Sequence, residues 1–216
     1  MELNKEQAQE IIAKRVAKEF NDGDVVTLGI GLPTKAISYV PEDVHIIVQS
    51  ENGVLGVGAY QDDTNLDKHI INAGGIGVTV NAGGCFVDSL TAFAMMRGGH
   101  IDITVLGALQ VDAEGNLANW SIPGKFTPGM GGAMDLVVGT KRLIIAMEHT
   151  AKGAPKIMQK CTLPLTVAHK VNMIITEKAV FEIINQRLIL REISPYSSLE
   201  DIRQNTAADF EIDLTA

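Results

Sequence analysis

Apolar residues near the start of the chain recur at helical spacing. Ala8, Ile11, Ile12, Val16 and Phe20 fall on one face of a helix. Asn4, with Gln7 three residues on, forms a capping box that starts it. Asn21-Asp22-Gly23 stops it. The period then changes. Val25-Val26-Thr27-Leu28 is a short β-rich run, followed by the loop Gly29-Ile30-Gly31-Leu32-Pro33. A second helix is predicted from about Thr34. It must end before Pro41, because the residue preceding a proline avoids helical geometry. Val44-His45-Ile46-Ile47-Val48 reads as a buried strand that gives way to a glycine-studded loop, Gln49 to Gly58.

Further strands are predicted at Gly77–Val80, Ile101–Leu106, Arg142–Met147 and Val171–Thr176, with a helix from about Asp88 to Arg97 between the first two. This alternation predicts an α/β fold with a mainly parallel open sheet and flanking helices. Two stretches read as antiparallel. Leu109–Val111 and Leu117–Trp120 flank a turn-rich segment, and Val180–Ile184 and Leu188–Arg191 flank Asn185-Gln186. Ser197 and Glu200 make another capping box, for a short helix near Leu199–Arg203. Gly124 to Gly132 reads as a shaped loop anchored by Phe126 and Met130.

The 216 residues are expected to form one domain with a full core. Hydrophobic residues make up 46% and charged residues 20%, a globular balance. A net charge of −8 argues against a nucleic-acid partner, because phosphate contacts need a basic face. Cys85 and Cys161 are far apart and read as reduced, buried thiols of a cytoplasmic protein. No apolar stretch approaches membrane-spanning length, and the N-terminus has no signal core.

The candidate chemistry centres on Gln49-Ser50-Glu51-Asn52-Gly53. Ligands bind at strand C-termini in open α/β sheets, so a carboxylate there can meet a substrate. An exposed carboxylate in an Asn-Gly turn is the plainer alternative. Gly29-Ile30-Gly31-Leu32-Pro33-Thr34 begins like a dinucleotide fingerprint but lacks its third glycine. Gly129-Met130-Gly131-Gly132-Ala133-Met134-Asp135 can present several N–H groups to an oxyanion, or can simply connect two elements. The five histidines show no ligand spacing, so no metal site is expected. His149, after Glu148 at a strand end, is a second candidate for a polar site, with packing an equal alternative. Trp120 reads as core or interface.

These residues resemble the beta subunit of the class I coenzyme A transferases, of the 3-oxoacid or acetate/butyrate–acetoacetate type. The resemblance runs through Asn21-Asp22-Gly23, Leu28 to Thr34, Gln49 to Gly53, Arg97-Gly98-Gly99-His100-Ile101-Asp102, Leu117-Ala118-Asn119-Trp120 and Pro123-Gly124-Lys125. Gly129 to Asp135, Ala146-Met147-Glu148-His149 and Cys161 to Thr166 complete it. Val48 departs from the family, which has a larger apolar residue there. The resemblance implies the fold shared with ribose-phosphate isomerases and glucosamine-phosphate deaminases. It implies Glu51 as the nucleophile; with that chemistry, Gly131, Gly132 and Ala133 are assigned to the oxyanion region, Gly29 and Gly31 to the floor beside Glu51, and Asn52 to orienting the loop by hydrogen bonding. Coenzyme A is then substrate and covalent intermediate, with no permanently bound cofactor. The Gly-Gly-Phe motif of the alpha half is missing, so an alpha subunit is implied, in an α2β2 assembly. Competing readings are a sugar-phosphate isomerase or deaminase, and a non-catalytic ligand-sensing domain.

Overall fold

The computed structural model describes residues 3–61, 67–125, 127 and 129–215. Helix α1 (Lys5–Ala17) starts at the expected box: Asn4 Oδ1 accepts from the Gln7 N–H at 2.9 Å, and Gln7 Oε1 accepts from the Asn4 N–H at 3.0 Å. Its Ala8, Ile12 and Val16 are buried. Strands β1 (Val25–Leu28) and β2 (Ile47–Ser50) follow, separated by a 3-10 helix at Pro33–Tyr39. Then come β3 (Val54–Tyr60), β4 (Val78–Phe86), α2 (Ser89–Arg97), β5 (Ile103–Leu106), β6 (Gln110–Asp112) and β7 (Leu117–Ala118). The next elements are α3 (Ala133–Val138), β8 (Arg142–Ala146), β9 (Thr150–Ala151), β10 (Ala154–Pro155) and β11 (Ile157–Met158). The chain continues through β12 (Val171–Ile175), β13 (Ala179–Ile184), β14 (Arg187–Ile193), α4 (Leu199–Asn205) and β15 (Glu211–Ile212).

Ten strands form one sheet in the order β15-β14-β13-β12-β8-β5-β1-β2-β3-β4. Its centre, β12-β8-β5-β1-β2, is parallel. The pairings β12–β13, β13–β14, β2–β3 and β3–β4 are antiparallel. The predicted α/β class with a largely parallel sheet and hairpins therefore holds. Parallel strands must be covered on both faces, which explains why every residue of β5 is buried. One face packs Val26, Ile103, Val105 and Ile144 against Ile12, Val16 and Phe20. The other packs Leu106, Leu143 and Ile145 with Met96, Leu136 and Val137 of α2 and α3. The β13–β14 hairpin turns at Asn185 and Gln186, both at positive φ (51° and 61°), as a twist-matching two-residue turn requires.

Several expectations are corrected. The segment after Pro33 is a 3-10 helix, not α. The strand read from Val44 begins only at Ile47, because the Val44 N–H closes a turn onto Pro41 O at 3.0 Å. The glycine-studded stretch from Val54 is strand β3, not loop. Gly56 (φ 77°) lies at a register shift there, and a Cβ on it would come 3.0 Å from Gly84 Cα. A glycine in a strand marked a bulge. Helix α4 is capped by Ser198, whose side chain accepts from the Asp201 N–H at 3.1 Å; the Ser197 hydroxyl instead donates to Asp201 Oδ2 at 2.8 Å. Cys85 is exposed on edge strand β4, not buried, and Cys161 is half-buried. Burial, with Asp112 beside it, pushes the Cys161 thiol up to about 12, so it stays protonated. The proposed anchor Phe126 lies outside the described residues.

Candidate active site

Because β1, β2 and β5 are adjacent and parallel, their C-terminal ends share one edge of the sheet. Beyond each end the chain enters a tight loop: Gly29-Ile30, Glu51-Asn52-Gly53 and Gly107-Ala108-Leu109. These loops, with Met130 to Ala133 leading into α3, enclose a cleft of about 430 Å3. Open α/β sheets place ligands at such an edge.

Glu51 stands in the turn between β2 and β3 and is half-buried. Its carboxylate lies against Gly132. A Cβ at Gly132 would fall 2.9 Å from Glu51 Cδ and from both carboxylate oxygens. Burial pushes the Glu51 pKa above the ordinary glutamate value; the Gly132 backbone N–H pulls it back, and Asp135 adds to the rise. Asp135 is itself held by Arg97 Nη1 at 2.7 Å.

The turn is fixed from several sides. Gly53 N–H donates to Ser50 O and Val87 N–H donates to Gly53 O, both at 2.9 Å. Asn52 Nδ2 donates to Ile71 O at 2.7 Å, and Ser50 Oγ accepts from Ala73 N at 2.9 Å. Gly53 combines φ 109° with a Cβ position 2.0 Å from Val87 O, so no side chain fits. Gly53→Ala is expected to cost on the order of 3 kcal/mol. Urea unfolding checks this, and an unchanged midpoint would contradict it.

The structure brings Glu51, Gly29, Gly131, Gly132 and Ala133 into one cleft. Asn52 is outside the cleft lining, its Nδ2 committed to Ile71 O. Gly31, expected on the floor, is exposed at φ 96° and outside the cleft lining; its carbonyl accepts from Thr34 Oγ1 at 2.8 Å, opening the 3-10 helix. Sequence reasoning missed Ala73, Asn119 and the wall at 106–109. Asn119 braces that wall: its Nδ2 donates to Gly107 O at 3.3 Å, and its Oδ1 accepts from Thr166 Oγ1 at 2.6 Å. The signal available was positional, since Leu106 ends a predicted strand as Val48 does just ahead of the Glu51 loop.

His149 is not part of the cleft lining. It is fully buried, with its ring nitrogens 2.9 Å from the hydroxyls of Thr176 and Thr206. Burial, reinforced by Lys178, pushes its pKa down to about 4. It is therefore neutral at pH 7 and structural. Unfolded, it titrates near 6.5. Between these values the unfolded chain binds more protons, so its contribution is complete above about pH 6.5 and is lost as pH falls towards 4. The urea midpoint should drop over that window, and drop less in His149→Gln; an equal drop in the variant would contradict the assignment. Among the described residues, no group of three or more His, Cys, Asp or Glu could hold a metal ion. Nor is any helix there long and apolar enough to cross a membrane.

Glu51 thus stands at a strand end, packed on a glycine beside backbone amides, at the edge of the sheet where a ligand can reach it. The model of the coenzyme A transferase family matches residues 9–205, and the chain belongs to that family. It is 55% identical to the beta subunit of the acetate CoA-transferase of Haemophilus influenzae, over 94% of this chain and 91% of that one. It is 47% identical to a subunit of the succinyl-CoA:3-ketoacid coenzyme A transferase of Helicobacter pylori, over 95% of this chain and all of that one. Among solved structures, an acyl-CoA transferase from Escherichia coli O157:H7 superposes with a TM-score of 0.77 at 22% identity. That match covers 99% of this chain but only 43% of the larger enzyme, and shows the shared fold.

Proposed function

We propose that this chain is the catalytic beta subunit of a short-chain acyl-CoA:carboxylate CoA-transferase, with Glu51 as the covalent nucleophile. The observation that carries this reading is the half-buried Glu51 carboxylate seated on Gly132 at the mouth of a glycine-lined cleft.

In the first step a Glu51 carboxylate oxygen attacks the thioester carbonyl. The C–S bond breaks, coenzyme A leaves as thiolate, and an acyl-glutamyl anhydride forms. The thiolate then attacks the Glu51 carbonyl, expels the first acid as its carboxylate and leaves a glutamyl-CoA thioester. The second acid reverses both steps and regenerates Glu51. No proton is gained or lost over the cycle. Both halves pass through oxyanions, for which the amides of Gly131 and Gly132 are the nearby donors, while the Ala133 N–H closes the loop onto Met130 O at 3.1 Å. Gly29 brings backbone close to the floor; a Cβ there would stand 3.0 Å from Leu106 Cδ2. Asn52 keeps the Glu51 turn in place through Ile71. Coenzyme A is a substrate here, and no resident cofactor is invoked.

Both relatives are single subunits of larger enzymes, which supports an alpha-type partner, and α2β2 is the assembly we favour. We assign the fold to the group shared with ribose-phosphate isomerases and glucosamine-phosphate deaminases. We take the 216 residues as one functional unit working in the cytoplasm. Among the described residues no Lys, Arg or His lines the Glu51 cleft, so a sugar phosphate would find no side-chain cation there. The test is steady-state kinetics of the reconstituted pair. Double-reciprocal plots should be parallel, as ping-pong transfer requires. Intersecting lines would reject the covalent scheme.

A further inference from the structure

A second cavity, of about 280 Å3, adjoins the Glu51 cleft. Leu28, Ile30 and Ala73 line both, so the two spaces share a wall. Its remaining sides come from the 3-10 helix, from β2 and β3, and from the segment around Asn72, with Ile37, Val48, Val57 and Ala59 among the apolar contributors. Among the described residues, none that line it is Asp, Glu, Lys, Arg or His. Two of its hydroxyls are already engaged: Thr34 Oγ1 donates to Gly31 O at 2.8 Å, and Ser50 Oγ accepts from Ala73 N at 2.9 Å.

We infer that this cavity receives the tail of the acyl group, and that it selects uncharged aliphatic chains over dicarboxylic ones. The inference rests on Glu51 as the atom that carries the acyl group. A methylene takes up about as much space as a water molecule, roughly 30 Å3. The cavity therefore has room for a four-carbon acyl tail. Each methylene moved from water into such a lining improves binding by about fourfold. A terminal carboxylate makes no such apolar gain and finds no opposite charge. It would be stripped of water in a lining that offers neutral donors, among them the buried and unpartnered Gln49 Nε2, but no cation to balance its charge. The family relatives include both acetate and succinyl-CoA enzymes, so family membership alone leaves the choice open. The uncharged lining is a property of this chain's own residues.

The experiment measures kcat/KM for acetyl-, propionyl-, butyryl- and succinyl-CoA with the reconstituted alpha–beta enzyme. The expected profile rises about fourfold per methylene from acetyl to butyryl. Succinyl-CoA should fall below butyryl-CoA by a factor on the order of 100. Ala59 is an exposed lining residue, so changes there spare the core. Ala59→Leu should lower the butyryl-to-acetyl ratio about tenfold by filling the cavity. Ala59→Lys should raise the succinyl-to-butyryl ratio about tenfold by supplying the missing cation. Succinyl-CoA used as well as butyryl-CoA, or ratios that neither variant moves, would overturn the assignment while leaving the Glu51 chemistry intact. Exchange that survives Glu51→Gln would instead remove the reading beneath it.

Discussion

Glu51→Gln should reduce CoA exchange by a factor on the order of 10,000 or more, while the protein stays folded and melts at the same temperature or higher. The activity loss follows from the loss of the nucleophile, since an amide oxygen neither attacks a thioester nor leaves as a carboxylate. The stability direction follows from burial. Burial raises the Glu51 pKa above its unfolded value. Such an acid contributes fully to stability below the unfolded pKa, and that contribution is lost as pH rises through the folded one. At pH 7 the ionised group is therefore a cost, and the neutral, nearly isosteric amide removes it. An exchange assay beside a thermal melt checks both halves. A variant retaining a tenth of the activity would remove Glu51 from its role, and a variant that unfolds would show the carboxylate to be structural.

Gly132→Ala should lower exchange about a hundredfold with a melting temperature close to that of the native protein. Gly132 has φ −81°, which alanine adopts without strain. Its new Cβ would stand 2.9 Å from the Glu51 carboxyl group. That group is the far end of a flexible side chain, so it moves aside and the backbone does not. Displacing a nucleophile by ~1 Å costs about a hundredfold in rate. Full activity in this variant would show that the carboxylate works away from Gly132. Gly53→Ala is the opposite case: there the obstacle is the Val87 carbonyl, which cannot yield, and the fold suffers instead of the chemistry.

Much of this was legible in the chain. The Asn4–Gln7 capping box, the β13–β14 hairpin at Asn185-Gln186 and the central parallel strands are local signals, and local physics sufficed. The Glu51 turn was visible because a strand pattern ends there in polar and glycine residues. What the sequence hid were consequences of neighbours. Gly56 looked like a loop residue because nothing local reveals the Gly84 backbone it passes. The wall at 106–109 reaches Glu51 only because β1 pairs with both β2 and β5. Gly31 belonged to the same short motif as Gly29, yet the turn into the 3-10 helix carries it to the surface. His149 had the composition of a reactive group and the burial of a core one, which only the Thr176 and Thr206 hydroxyls disclose.

The most direct test of the covalent scheme is a mass measurement. The reconstituted enzyme is incubated with an acyl-CoA donor and no acceptor acid, then digested, and its peptides are weighed with and without hydroxylamine. The peptide holding Glu51 should gain one coenzyme A less one water, and hydroxylamine should replace that mass with a hydroxamate on the same residue. Exchange proceeding with no adduct, or with the adduct on another residue, would contradict the account.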